Sequence, residues 1–235
     1  MNDKINAIVL SISEYRENDL LLNCLCKEAG FISIVARSAR KMTSHSHFYE
    51  GNIYEFIIDL KDDKTIYTAH GNKLLNSYYD LNNLKLMSFK NIIFEITLKS
   101  KEFYETDMFD NLYVFLNSLN ENNMYLLGSL YVSYMSYIHG IKPSVDGCVI
   151  CGNKKIYSVS NAKGGFICRD HLNGEKIMES EVLKKFRLIN KANFNNYDLI
   201  KDVEYRKEDF KLNMDFFIFN SEIKLRTYEF YNSMF

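Results

Sequence analysis

Tryptophan is absent from the 235 residues, and proline occurs once, at Pro143. Disordered chains are poor in aromatics and rich in proline, whereas this one carries 17 Tyr and 17 Phe and is 47% hydrophobic. A globular protein with a proper core is therefore expected. Charge of one sign is lacking too: 29 Lys and Arg stand against 30 Asp and Glu. No molecule-wide field recruits nucleic acid or an acidic membrane, so any basic surface must be local. Cysteine is sparse, with three of the five in one short segment and Cys24 and Cys26 in an apolar stretch, which argues against the disulfide scaffold of a secreted protein. Long apolar runs are missing as well. The longest, "MYLLGSLYVSYMSYI" at 124–138, falls short of the about 18 residues a bilayer span needs and reads as a buried helix. The start, "MNDKINAIVLSISEYREND", has too short and interrupted an apolar run for a signal peptide, so a cytoplasmic location with no membrane association is expected.

Catalytic signatures are also missing. No G-x-x-x-x-G-K-[ST], G-x-G-x-x-G, G-x-S-x-G or H-E-x-x-H occurs, and no His is followed two residues later by Glu as in zinc nucleobase deaminases. No catalytic residue is assigned, and a non-enzymatic protein is expected.

Up to about residue 80 the apolar pattern has period two. In "DLLLNCLCKE", Leu20, Leu22, Cys24 and Cys26 point one way and Leu21, Asn23, Leu25 and Lys27 the other, as in a strand with one face buried. Strands are expected at roughly 5–14, 19–27, 31–37, 50–60 and 65–70, with turns at "EAG" and "KDDK". Five short strands with no helix between them cannot form a parallel sheet, and a small closed barrel of the oligonucleotide/oligosaccharide-binding (OB) kind fits. From Asn82 the period lengthens. Helices are expected over 84–98, over Met108–Leu119 behind an Asp107 cap, and at roughly 122–139, 179–190 and 213–233. The fold class is thus α+β in two domains: an OB barrel over 1–80, then an all-α domain over 81–235 carrying a Cys/His insertion at about 145–175. Cys24 and Cys26 read as ordinary strand packing.

Within that insertion the spacing is Cys148-x2-Cys151-x16-Cys168-x2-His171. Thiolates three residues apart fold round one metal because the intervening amides turn toward the sulfurs, and two such pairs complete a tetrahedron. Zinc is the natural occupant, and four ligands leave no open position for a catalytic water, so a structural role is expected. Asp170 competes with His171 as the fourth ligand. A redox reading of Cys148 and Cys151 is weak, since they do not sit between a strand and a helix of a βαβ unit. His45 and His47, in "SHSHF", have no third ligand nearby and read as solvated loop residues.

Over residues 27–47, Lys27, Arg37, Arg40 and Lys41 face one acid, Glu28, a local excess where the third strand runs into a polar loop. Such cations project from the barrel face or its rim, where this fold binds nucleic acid, or are simply a solvated strand end. Over 184–207 seven bases face Asp198, Asp202 and Glu204, which reads as a solvent-facing helical surface. Tyr15, Phe48, Tyr49 and Tyr54 are candidate stacking aromatics.

Together these residues resemble the RecO family of bacterial recombination mediators. "AIVLSISEYRENDLLLNCLCKEAGFISIVARSARK" is similar to that family's opening, "HGIKPSVDGCVICG" and "GGFIC" to its Pro, C-x-x-C-G and Gly-Gly-apolar-Cys run, and "EIKLRTYEFYNSM" to its last helix. The resemblance implies an OB barrel followed by a helical domain with a zinc knuckle. It also implies binding of single- and double-stranded DNA and annealing of strands coated by single-strand-binding protein. Delivery of RecA with the help of RecR, in a nucleoid-associated setting, is implied too. Arg37, Arg40 and Lys41 inherit a DNA-contact role, and Cys148, Cys151 and Cys168 a ligand role; His171 stands where metal-binding members usually have Cys. A protein-interaction adaptor with incidental DNA contact is the alternative. The DNA footprint, the stoichiometry with RecR and the surface for the single-strand-binding protein's tail are not legible.

Overall fold

The computed structural model describes residues 3–41, 47–61, 64–78 and 83–235. Its chain divides into two compact units, Met1–Asn117 with Thr227–Phe235, and Ser118–Arg226.

In the first unit the strands β1 (Asp3–Tyr15), β2 (Asp19–Cys26), β3 (Gly30–Ala36), β4 (Ile53–Ile58), β5 (Ile66–Thr68) and β6 (Gly71–Asn76) form one sheet in the order β5-β3-β2-β1-β4-β6. β1, β2 and β3 make an antiparallel meander, β5 runs parallel to β3, and β6 lies antiparallel to β4. The two ends of this order are neighbours in the chain. At the step between them the Ala69 amide donates to Val35 O on β3 at 3.1 Å, and the His70 amide donates to Ile57 O on β4 at 2.8 Å. One bent run, 66–76, thus reaches from β3 to β4 and gives the sheet its OB-like, half-barrel form, with β5 and β6 at the two ends of its order. The sixth strand departs from the five expected: Asn72 to Leu75 are exposed in sequence, so no two-residue alternation marks β6.

Alternation does mark the rest. Ile5, Ala7 and Val9 of β1, Leu22, Cys24 and Cys26 of β2, Ile32, Ile34 and Ala36 of β3, and Tyr54, Phe56 and Ile58 of β4 form one buried cluster with Phe48 and Tyr67. The opposite face is partly covered, with Ile8, Leu10 and Leu25 also buried, because α1 (Leu84–Lys99) packs on β1. The β2–β3 turn ends at Gly30, whose φ of 66° is in the left-handed region and whose missing Cβ leaves room for the Tyr104 ring. α2 (Met108–Ser118) follows within the unit, and α6 (Arg226–Met234) returns to it: both the Thr227 amide and hydroxyl donate to Glu95 Oε2 of α1.

The second unit is built on α3 (Met124–Ile138), whose sides are nearly all buried, as expected of the longest apolar run. α4 (Ser180–Lys191) and α5 (Lys207–Ser221) pack against it. Buried Asn190 ties the three together, accepting from Ser133 Oγ at 3.0 Å and donating to Asn213 Oδ1 at 3.2 Å. The single helix expected over 213–233 is two helices, α5 and α6. They part at Glu222, a C-cap with φ 58°; a left-handed residue other than glycine carries no sequence signal of a break. No described helix is long and apolar enough to cross a membrane.

Candidate metal centre

Between α3 and α4 the chain folds into two turns facing one another. In the first, Gly152 N donates to Cys148 O and Cys148 N donates to Asn153 O, both at 2.8 Å, closing a loop round the Cys148–Cys151 pair. The strands β7 (Ser158–Ser160) and β8 (Gly165–Ile167) then form a hairpin that delivers Cys168. Gly165 is required there: a Cβ would stand 2.2 Å from Ser144 O, and the backbone contacts Ser144 N to Gly164 O and Phe166 N to Ser144 O, each 2.9 Å, anchor the hairpin to the segment before Cys148. A 3-10 turn at Arg169–His171 brings His171 back beside Cys168.

These turns place Cys148 Sγ, Cys151 Sγ, Cys168 Sγ and a ring nitrogen of His171 all within 4.8 Å of one another. Cys151 Sγ to Cys168 Sγ is 3.7 Å and Cys148 Sγ to His171 Nδ1 is 3.6 Å. An ion bonded tetrahedrally to sulfur and imidazole nitrogen at usual lengths has S–S edges of about 3.8 Å and S–N edges of about 3.6 Å. The donor set therefore fits a tetrahedral metal on both its softness and its spacing. Cys168 Sγ to His171 Nδ1, at 3.2 Å, is closer, as in a thiol–imidazole hydrogen bond. Of the two competing neighbours, His171 joins the cluster and Asp170 does not.

Cys148 and Cys168 are buried, His171 is half-buried and Cys151 is exposed. Ile167 packs with the two buried cysteines, flanked by Val149, Ile156 and Leu172. Burial alone would push the Cys148 thiol up, but hydrogen bonds from the backbones of Cys168, Cys151 and Ile150 outweigh it and bring it down to about 6. Burial and the neighbouring Cys148 and Cys151 thiols push Cys168 up.

Two residues outside the Cys/His pattern support the second turn. Lys163 Nζ donates to His171 O at 2.8 Å and lies 3.4 Å from Glu175 Oε1. The Glu175 carboxyl is held at about 2 by hydrogen bonds from the Ser160 hydroxyl and the backbone of Asn173 and of Glu175 itself, with Lys163 adding to them. Contacts between a side chain and a distant carbonyl leave no spacing pattern in a sequence.

The candidate nucleic-acid residues are exposed and lie in the first unit. Arg37 follows β3 directly, on a polar cleft of about 230 Å³ that Lys61, Lys64 and His70 also line. Arg40 pairs with Glu14 at 2.8 Å, and Lys27 with Asp110 at 2.9 Å. Among the described residues no ion pair involves Arg37 or Lys41. Of the stacking candidates, Phe48 and Tyr54 belong to the barrel core, while Tyr49 is exposed and Tyr15 lies under the Arg16 guanidinium. Cys24 and Cys26 pack in that core with their thiols pushed up by burial. His47 is exposed in its loop, and His45 lies outside the described residues. The basic run over 184–207 is not one surface: half-buried Lys185 pairs with buried Asp209, and Lys201 and Arg206 pair with Asp198 and Glu204.

Residues 1–78 match the family described as Recombination protein O N terminal. The chain is 24% identical over 191 residues to the DNA repair protein RecO of Lactobacillus acidophilus, covering 72% of this chain and 70% of that protein. It is 24% identical over 186 residues to the protein of the same name from Bacillus mycoides, covering 73% and 71%. The resemblance to the RecO family carried by the motifs is borne out by both findings.

Proposed function

We propose that this chain, RecO-like from its N-terminal domain through most of its length, is a non-enzymatic DNA-binding and strand-annealing protein of recombinational repair. The observation that carries the proposal is the OB-like barrel, matched along its length to the RecO N-terminal family, with exposed Arg37 and Lys41 where β3 leaves it. Phosphates replace condensed counterions on those cations, so affinity falls as salt rises. Arg40 and Lys27 join by exchanging their carboxylate partners for phosphate, since exposed ion pairs are worth at most about 1 kcal/mol. Tyr49 and Tyr15 offer stacking faces. By analogy with the relatives' repair role, the partners are single- and double-stranded DNA, RecR and single-strand-binding protein, with RecA delivered as a consequence, in the cytoplasm at the nucleoid.

Cys148, Cys151, Cys168 and His171 would hold a zinc ion as a structural clasp. The ion would supply the binding energy that keeps the two turns together. The chain's own residues orient the ligands: Lys163 fixes the His171 backbone, and Gly165 lets the hairpin close on Ser144.

The test is the rate at which two complementary fluorophore-labelled oligonucleotides anneal. The protein accelerates annealing, and the Arg37→Ala/Arg40→Ala/Lys41→Ala variant loses most of that acceleration. A rate equal to that without protein overturns the proposal.

A further inference from the structure

Where the segment before Cys148 meets α4, two cations hold the carboxylate of Asp146, a third holds its main-chain oxygen, and a fourth stands near one of the pair. Asp146 accepts from Lys191 Nζ at 2.6 Å and Arg187 Nη2 at 3.3 Å, and its main-chain oxygen accepts from Lys154 Nζ at 2.8 Å. Lys142 lies close enough to Lys191 for that charge to lower its own affinity for a proton, after the larger effect of burial. Four cations against one carboxylate leave a local excess of three in a nearly neutral chain, and among the described residues no other carboxylate forms an ion pair with them.

The cations are placed to be met from solvent. The Arg187 and Lys191 side chains are about half exposed, and they sit one turn apart on α4, about 6 Å along its axis. Beside them, Lys142 Nζ lies 5.6 Å from the centroid of the Tyr137 ring, and Tyr137 is 63% exposed at the end of α3. A large aromatic left in water next to a cationic row is the combination that binds single-stranded nucleic acid: the ring stacks on a base of any kind while the cations track the phosphates. An acidic peptide would satisfy the cations but would leave the ring's flat face without a matching partner.

We propose that Lys142, Lys154, Arg187 and Lys191, with Tyr137, form a second contact site for single-stranded polynucleotide, on the unit that carries the metal centre. The site rests on the DNA-binding reading above but is separate in residues from the barrel rim. Asp146 moderates it by holding two of its cations until phosphates compete for them.

The test is the affinity of full-length, metal-replete protein for a labelled oligothymidylate, measured across salt concentrations for wild type and its variants. Wild type is compared with Lys142→Gln/Arg187→Gln/Lys191→Gln, with Asp146→Asn, and with the triple alanine variant at Arg37, Arg40 and Lys41. Loss of three phosphate contacts lowers the salt slope by about 2, from about 0.7 per single-strand contact. The glutamine variant should therefore bind about tenfold more weakly at low salt with a correspondingly shallower slope, and Asp146→Asn should bind more tightly. Tyr137→Ala should weaken binding with no change of slope. Unchanged affinity and slope in the glutamine variant, with weakening confined to the barrel variant, overturns this site and leaves the barrel reading standing. Absence of oligothymidylate binding by wild type overturns both. A glutamine variant that loses binding of a polyglutamate peptide while keeping its oligothymidylate affinity assigns the patch to an acidic protein partner and overturns the proposal. Equal metal content and circular dichroism across the variants establish that each is folded.

Discussion

The ammonium of Lys163 donates to the main-chain oxygen of His171 at 2.8 Å, eight residues along the chain and across the β7–β8 hairpin from it. This bond, with Glu175 behind it, holds the 3-10 turn that presents the imidazole to the three sulfurs. Lys163→Met keeps much of the side chain's bulk and removes the donor. Outer partners of metal ligands typically contribute 10- to 100-fold in affinity, so the variant should lose zinc to a chromogenic chelator at a concentration about tenfold or more lower than wild type. Identical competition curves would mean the turn holds itself.

The ligand set is tested by single substitutions. Cys168→Ser should purify with little metal, whereas Asp170→Ala should keep the wild-type content, because Asp170 lies outside the cluster. His171→Ala should bind weakly rather than not at all, since three thiolates remain. Metal analysis of the three variants, with limited proteolysis between 145 and 175, reads both occupancy and local order. Loss of metal in Asp170→Ala would move the fourth ligand to the carboxylate.

Gly165 is the backbone hinge on which the hairpin meets Ser144. A methyl group 2.2 Å from a carbonyl oxygen cannot be accommodated without moving the main chain. Gly165→Ala should destabilise the second unit by more than the 1–3 kcal/mol of an unfavourable backbone conformation alone, seen as a lower urea midpoint and faster release of metal to chelator. A midpoint within error of wild type would show that the anchor is dispensable.

His139 caps α3 with its ring edge-on to Phe217 at 5.4 Å, and burial lowers its affinity for a proton. The unfolded chain then binds more protons than the folded one below the ordinary histidine range. Stability contributed by neutral His139 is complete above about pH 6.5 and is lost as pH falls from there toward its lowered value. The difference in urea midpoint between pH 7.5 and pH 5.5 should therefore shrink in His139→Gln. An unchanged difference would assign the acid sensitivity to other groups.

Much of this was legible in the sequence, for physical reasons that differ by element. Leu22, Cys24 and Cys26 announce β2 because a strand with one buried face must alternate. The run at 124–138 announces a buried helix because it is apolar on every side. Two pairs of potential ligands spaced by two residues announce the Cys/His cluster because local turns alone bring each pair together. What stayed illegible depends on partners distant in the chain. β6 is an exposed strand recognised only by its pairing with β4. The break between α5 and α6 rests on one left-handed glutamate. Lys163 and His171, and the cations that hold Asp146, come from separate stretches of the chain that only the tertiary fold brings together. Of the cations singled out from local charge, Lys27 and Arg40 prove to have carboxylate partners that the one-dimensional count does not include.

We propose the barrel rim, rather than the Cys/His cluster, as the principal polynucleotide contact. The test is the salt dependence of DNA affinity in the Arg37→Ala/Arg40→Ala/Lys41→Ala variant, compared with that in Cys151→Ser, which lacks one of the four ligands. The rim variant should lose affinity by about tenfold or more, with its salt slope shallower by about 2 on single strands, while Cys151→Ser, whatever its metal content, should keep the wild-type slope. A rim variant that binds with wild-type affinity and slope, beside a cysteine variant that does not, would contradict it.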